Sequence, residues 1–187
     1  MADTLKQVNS ALKKKFSGKK LIVGQGFDSA KIVFVCDAPT TLELSEGKPL
    51  AGTSEKTLNR LLKVAGIDKR KVYMTNVIKY TVDGRVHTAK EIKASVPFLK
   101  EELKTIKPDI VVTLGPTALN GVGLRLPLDN AHGRVFNMGS YDLIPTFHPA
   151  HAEKDQWVST LITSDFMKLK DHIKTRKNPS PIDEDMA

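Results

Sequence analysis

Val33 to Gly52 reads VFVCDAPTTLELSEGKPLAG, and no other stretch limits the choice of fold so strongly. The apolar run Ile32 to Cys36 stops at once on Asp37-Ala38-Pro39. A short run without polar alternation suits a strand covered on both faces of a sheet. The acid, small residue and proline mark its carboxyl end, and in open α/β sheets ligands bind outside that end. A long polar loop follows, closing on Gly47-Lys48-Pro49-Leu50-Ala51-Gly52.

The same pattern recurs along the chain. Residues 3–16 read as an amphipathic helix with Leu5, Val8, Leu12 and Phe16 on one stripe. Lys13, Lys14, Lys15, Lys19 and Lys20 give it a basic end, suited to solvent or to phosphates. Thr53-Ser54-Glu55 starts a second helix, with Leu58, Leu61, Leu62 and Ala65 inward and Gly66 as its stop. Val72 to Met74 forms a strand ending at Thr75-Asn76, and Val77 to Val86 is irregular. Thr88 and Glu91 form a capping box for a helix through Ile92, Val96, Leu99, Leu103 and Ile106, which Pro108 closes. Ile110 to Leu114 is a third strand, ending at Gly115-Pro116 and a short helix; Asn120 to Gly133 reads as loop. Leu143 to Thr146 is a fourth strand, broken by Pro145 and followed by Phe147-His148-Pro149. A last helix runs over 156–175, and 178–187 reads as a disordered acidic tail after a single domain over 1–177.

Strands alternating with helices predict an α/β fold built on a mostly parallel sheet with helices on both faces. Parallel strands deliver Asp37, Asn76, Gly115 and His148 to one edge, so four loops converge on one cleft. The net charge of +8 favours a polyanionic partner, nucleic acid before an anionic membrane. The lone cysteine, Cys36, excludes an internal disulfide and a cysteine-based metal site. No apolar run separates the N-terminal lysines, and no stretch approaches the roughly 20 apolar residues of a membrane span. These features predict a soluble cytoplasmic protein.

Asp37, Glu43, Asn76 and His148 form a candidate hydrolytic set. A carboxylate can orient water and stabilise positive charge on a sugar. An asparagine amide, donor and acceptor at once, can read an imide edge bidentately. A histidine can donate to an oxygen that becomes negative as its group departs. Each also has a structural use: Asp37 as a turn cap, Asn76 as a strand end, His148 as a backbone partner. His148 and His151 lack further ligands, so no metal site is expected.

The ordered motifs CDAPTTLELSEGKPLAG, TNVIKY, KPDIVVTLG and PTFHPAH resemble the uracil-DNA glycosylase superfamily, and most of all its iron–sulfur, family 4 type. The first is similar to that family's G-E-A-P-G-x-x-E-D…G-x-P-F-x-G, and the likeness covers roughly residues 20 to 155. The resemblance implies a three-layer α/β/α sandwich around a four-stranded, mostly parallel sheet. It implies hydrolysis of the N-glycosidic bond of uracil in DNA, after the base leaves the stack. It gives Asp37, Glu43 and His148 catalytic parts, with Glu43 positioning the water or stabilising the sugar cation and the Asp37 backbone helping to hold the base. Asp37, Ala38, Leu50, Asn76 and His148 would hold the base, with Asn76 reading its edge and His148 facing O2. Lys48, Gly115, His151 and Lys154 would meet DNA, single- or double-stranded, and the protein would act as a monomer without cofactor.

The departures from the family are specific. Its cluster is held by four cysteines; here Tyr80 and Ser95 stand at the two later positions and the N-terminal pair is absent. Side-chain packing is expected to replace the cluster. Leu50 stands where an aromatic residue stacks on the base, an interaction of roughly 1–3 kcal/mol. After His148-Pro149-Ala150 come His151, Ala152, Glu153 and Lys154, poor wedges for a duplex, which favours single-stranded DNA. The rival readings are a DNA-binding or replication accessory protein that kept the fold without the activity, and a glycosylase for another deaminated base.

Overall fold

The computed structural model describes residues 4–177, and the expected acidic tail over 178–187 lies outside them. The elements follow in the order α1 (Leu5–Lys15), β1 (Gln25–Gly26), β2 (Ile32–Cys36), α2 (Thr41–Glu46), α3 (Thr53–Val64) and, after a 3-10 turn over Lys69–Lys71, β3 (Val72–Asn76). Next come α4 (Ala89–Ile106), β4 (Ile110–Leu114), α5 (Pro116–Gly121), α6 (Leu128–Ala131), β5 (Phe136–Asn137), β6 (Asp142–Thr146), α7 (Pro149–Ala152) and α8 (Gln156–Lys177).

The sheet order is β1-β3-β2-β4-β6-β5. The four expected strands form its parallel centre, β3-β2-β4-β6. Two-residue strands β1 and β5 add an antiparallel edge on each side, making six strands rather than four. The pleat sorts the core into two layers. Val33, Val35, Tyr73, Val111 and Leu143 share a core cluster with Leu99 and Leu103 of α4 and with Ala118 and Leu119 of α5. Phe34, Cys36, Val72, Val112, Leu114 and Ile144 share the other with Leu58, Leu61 and Leu62 of α3 and Ile162 and Phe166 of α8. The result is the α/β/α sandwich.

Three local expectations change. The polar loop after β2 contains α2, whose capping box pairs Thr40 with Glu43. The 120–133 loop contains the single turn α6. Pro145 does not break its strand: it lies within β6, opposite Thr113. Its carbonyl accepts the N–H of Gly133, so its backbone faces away from β4 toward the sheet edge. A proline there interrupts no ladder bond.

Candidate active site

The register fixes where the candidate residues meet. Cys36 pairs with Asn76 on one side and Leu114 on the other, and Leu114 pairs with Thr146. Asp37 and Gly115 therefore follow directly at the carboxyl edge, with Asn76 one step back and His148 two residues past Thr146. A cavity of about 450 Å³ opens there, walled by Asp37, Ala38, Thr40, Arg85, His87 and Thr117 among others. Asn76, His148 and Leu50 are not among the residues that line it.

Asp37 crosses to the first turn of α5, where its Oδ1 accepts the N–H of Ala118 at 2.6 Å and its carboxylate also takes that of Thr117. Burial nonetheless raises its pKa to about 6, because desolvation outweighs those two bonds. Gly115, with φ of 108°, lets the two segments approach.

Glu43 is differently engaged. Its Oε2 accepts the N–H of Thr40 at 2.6 Å, and its carboxylate also receives the N–H groups of Leu50 and Ala51. It is buried, which raises its pKa against those bonds, and it ties α2 to the 50–51 backbone. Leu50 adopts φ of 57° and is 2% exposed within the α3/α8 core. It lines a separate cavity with Lys48, Gln25 and Asn59. It presents no stacking face to the cleft of Asp37.

Asn76 is 1% exposed, and its Nδ2 has no hydrogen-bond partner. A buried donor without a partner costs about 1–3 kcal/mol, so such an amide is stable beside a ligand acceptor. Its backbone is held from below. Lys79 Nζ donates to the Asn76 carbonyl, to Thr75 Oγ1 at 2.6 Å and to Glu102 Oε2 at 2.8 Å. Glu102 also accepts from Tyr73 Oη at 2.9 Å and from Thr75 Oγ1. Lys79 and Glu102 are 2% and 1% exposed.

His148 Nδ1 accepts the N–H of Ala150 at 3.1 Å, which leaves the ring proton on Nε2. Burial, reinforced by the neighbouring His151, lowers its pKa to about 4, so it is neutral at physiological pH. Beside it, Phe147 packs on His132 with ring centroids 4.8 Å apart. His132 Nδ1 lies 3.0 Å from the buried Asp165 carboxylate, which also accepts from Thr146 Oγ1 at 2.7 Å.

The residues expected to meet DNA sit in different surroundings. His151 and Lys154 are exposed on α7 and the turn after it. Lys48 is ion-paired to Glu55 at 2.6 Å. Gly115 faces Asp37 rather than solvent.

Four polar residues packed behind the candidate site escape a local reading: Lys79, Glu102, His132 and Asp165. Glu102 did leave a trace, since it falls three residues after Leu99 and four before Ile106, on the buried stripe of α4. Lys79 likewise sits inside the apolar run Val77 to Tyr80.

An iron–sulfur cluster does not fit these residues. Tyr80 is buried against Phe16, Ser95 is buried on α4, and Cys36 is enclosed at the end of β2. Cluster irons are held by thiolates, and the chain has a single cysteine. No group of three or more His, Cys, Asp or Glu side chains among the described residues could hold a metal ion. No described helix is long and apolar enough to cross a membrane.

Residues 23–166 match the Uracil DNA glycosylase superfamily. The chain belongs to that superfamily. It is 32% identical over 160 residues to the Type-4 uracil-DNA glycosylase of Thermotoga maritima, covering 82% of this chain and 83% of that one. It is 28% identical over 169 residues to the Type-4 uracil-DNA glycosylase of Saccharolobus solfataricus, covering 84% and 78%. It is also 30% identical over 149 residues to the DNA polymerase of Bacillus phage SP01, covering 79% of this chain and 15% of the polymerase. Superfamily membership accounts for the order of the strand-end motifs.

Proposed function

We propose that the protein hydrolyses the N-glycosidic bond of uracil in DNA and leaves an abasic site. The observation that carries this reading is Asn76, a buried amide with an unpartnered donor at the edge where Asp37 and the neutral His148 converge. The relatives named Type-4 uracil-DNA glycosylase support it.

The target base leaves the stack and docks at the carboxyl edge of the sheet, reaching beyond the residues that line the cavity of Asp37 to Asn76 and His148. Asn76 donates through Nδ2 to uracil O4 and accepts from N3–H, a pairing that cytosine, with an amino group at C4, does not satisfy. As the C1′–N1 bond breaks, its electron pair passes to the base and negative charge gathers on O2. His148 donates Nε2–H to that oxygen without carrying charge itself. Asp37, ionised above about pH 6, stabilises the sugar cation and orients the water that adds to C1′. The water proton leaves through Asp37 and the departing base is protonated from solvent. In this reading Glu43, held by three backbone donors, shapes the loop rather than activating water.

The test uses uracil-containing single- and double-stranded oligonucleotides, followed by alkaline cleavage of abasic sites. Product from the wild type, lost in Asn76→Ala and His148→Ala with DNA affinity kept, is the expected result. No product at high enzyme excess sinks the reading. The phage polymerase relative favours a second one, a DNA-holding module of replication. Binding without turnover, unchanged in both variants, would select it.

A further inference from the structure

The end of α1 and the turn after it carry Lys13, Lys14, Lys15, Lys19 and Lys20, all exposed. Among the described residues none of the five forms an ion pair. The first three suit the negative end of the helix dipole, but that effect fades within the last turn. Lys19 and Lys20 lie beyond it.

This basic ledge is fixed rigidly to the cleft wall. Phe16, the C-cap of α1, packs on Tyr80 and Phe98 with centroids 5.2 and 5.7 Å apart. Lys19 Nζ sits 4.6 Å from the centre of the Tyr80 ring, and Tyr80 meets His87 edge-on at 5.3 Å. His87 lines the cavity of Asp37. A cation–π contact and a ring contact therefore link Lys19 to a residue of the cleft wall.

We infer that the Lys13–Lys20 ledge binds the backbone phosphates of the DNA strand that enters the cleft. The inference rests on the reading of DNA as the polyanion, not on turnover. With Lys19 engaged on the Tyr80 ring, the four remaining ammonium groups offer what a flexible strand needs: charge tracking its backbone, next to a pocket for one base. The ledge thus adds a strand contact on the side of the cleft away from His151 and Lys154.

The test measures affinity for a uracil-free single strand of about 16 nucleotides against salt. Lys13, Lys14, Lys15 and Lys20 are changed together to Gln. The log–log salt slope should flatten by about 0.7 for each lysine that touches a phosphate, so wild type should lose roughly 50-fold more affinity than the variant between 50 and 200 mM salt. The same four positions changed to Arg should keep the wild-type slope. A control set, Lys63, Lys71, Lys170 and Lys174 to Gln, removes the same charge from exposed sites toward the opposite edge of the sheet. It should leave the slope almost unchanged. Lys15→Gln with Lys20→Gln should give half the effect and serves if the fourfold variant does not fold. An unchanged slope in the ledge variants, or an equal loss in the control set, overturns the inference. Base release by wild type is scored separately. Turnover with an unaffected slope removes the ledge alone, whereas a ledge-dependent slope without turnover removes only the glycosylase reading.

Discussion

The Asp37 carboxylate packs so closely on Gly115 that a Cβ at residue 115 would lie 2.8 Å from Asp37 Oδ2. Gly115 also holds φ of 108°, which L side chains rarely adopt. Gly115→Ala therefore strains the backbone and pushes Asp37 off the N–H groups of Thr117 and Ala118. We expect a stability loss of about 1–3 kcal/mol with a fall in single-turnover rate larger than the fall in DNA affinity. Denaturant unfolding and rapid-quench base release check the two parts. A rate unchanged in folded protein would detach Asp37 from the chemistry.

Asp37 and His148 set opposite pH dependences. The Asp37 pKa is raised from 3.8 to about 6 in the folded protein, so its burial favours the protonated acid. Stability from that group is full below about pH 4 and declines as pH rises to 6. The His148 pKa falls from 6.5 to about 4, so the unfolded chain binds more protons between those values. Stability from His148 is full above 6.5 and is lost as pH falls toward 4. Activity should follow Asp37, rising with pH to a plateau above about 6, with no limb from His148 near 6.5. Asp37→Asn should abolish the acid limb and lower the plateau, as a pH profile of single-turnover rates would show.

Glu43 and Asp37 carry similar carboxylates in different employment, and substitution separates them. Glu43→Gln removes charge-assisted bonds from Thr40, Leu50 and Ala51. Each such bond contributes about 1.5–3 kcal/mol. The variant should melt at lower temperature yet keep a rate per folded molecule within about tenfold of wild type, against a loss of about a hundredfold or more in Asp37→Asn. Equal rate losses would return the water to Glu43.

The parallel centre of this fold is written locally. Ile32 to Cys36 and Ile110 to Leu114 are apolar but for Thr113, and each is followed by a residue, Asp37 or Gly115, that stops a buried strand. The convergence of Asp37, Asn76 and His148 follows from parallel pairing alone. Strands of two residues show no period, so Gln25–Gly26 and Phe136–Asn137 left no pattern to read. Helix α2 was hidden because the residue it buries is the charged Glu43. Leu50 shows another limit: a motif gives its position in the loop, but the positive φ that turns it into the α3/α8 core is a property of the folded chain. The Lys79–Glu102 pair spans 23 residues, beyond any local signal.

Leu50→Phe places an aromatic residue where the family usually carries one, yet it should not improve base binding here. The side chain at 50 lies in a core with Leu58, Leu61 and Phe34, and enlarging it overpacks that site at about 1–3 kcal/mol. Affinity for a uracil-containing strand should stay within about twofold of wild type while the melting temperature falls. A tenfold tighter complex would mean that residue 50 faces the base.

The Lys79–Glu102 pair offers the sharpest separation of positioning from stability. Removing one partner of a buried ion pair leaves the other charge unpaired and costs about 3–5 kcal/mol, whereas replacing both with uncharged groups is often close to neutral. Lys79→Met should accordingly be strongly destabilised, and Lys79→Met with Glu102→Gln should recover most of that loss. The double variant still lacks the ammonium that holds the Asn76 carbonyl. It should therefore fold near wild-type stability but bind the target base less well, raising KM more than it lowers kcat, because in the proposed reaction Asn76 meets the base in the ground state as well as the transition state. Denaturant melts of both single variants and the double variant give the coupling, and steady-state base release gives the KM. A double variant restored in both stability and KM would confine Lys79 to the fold and leave Asn76 positioned by its strand alone.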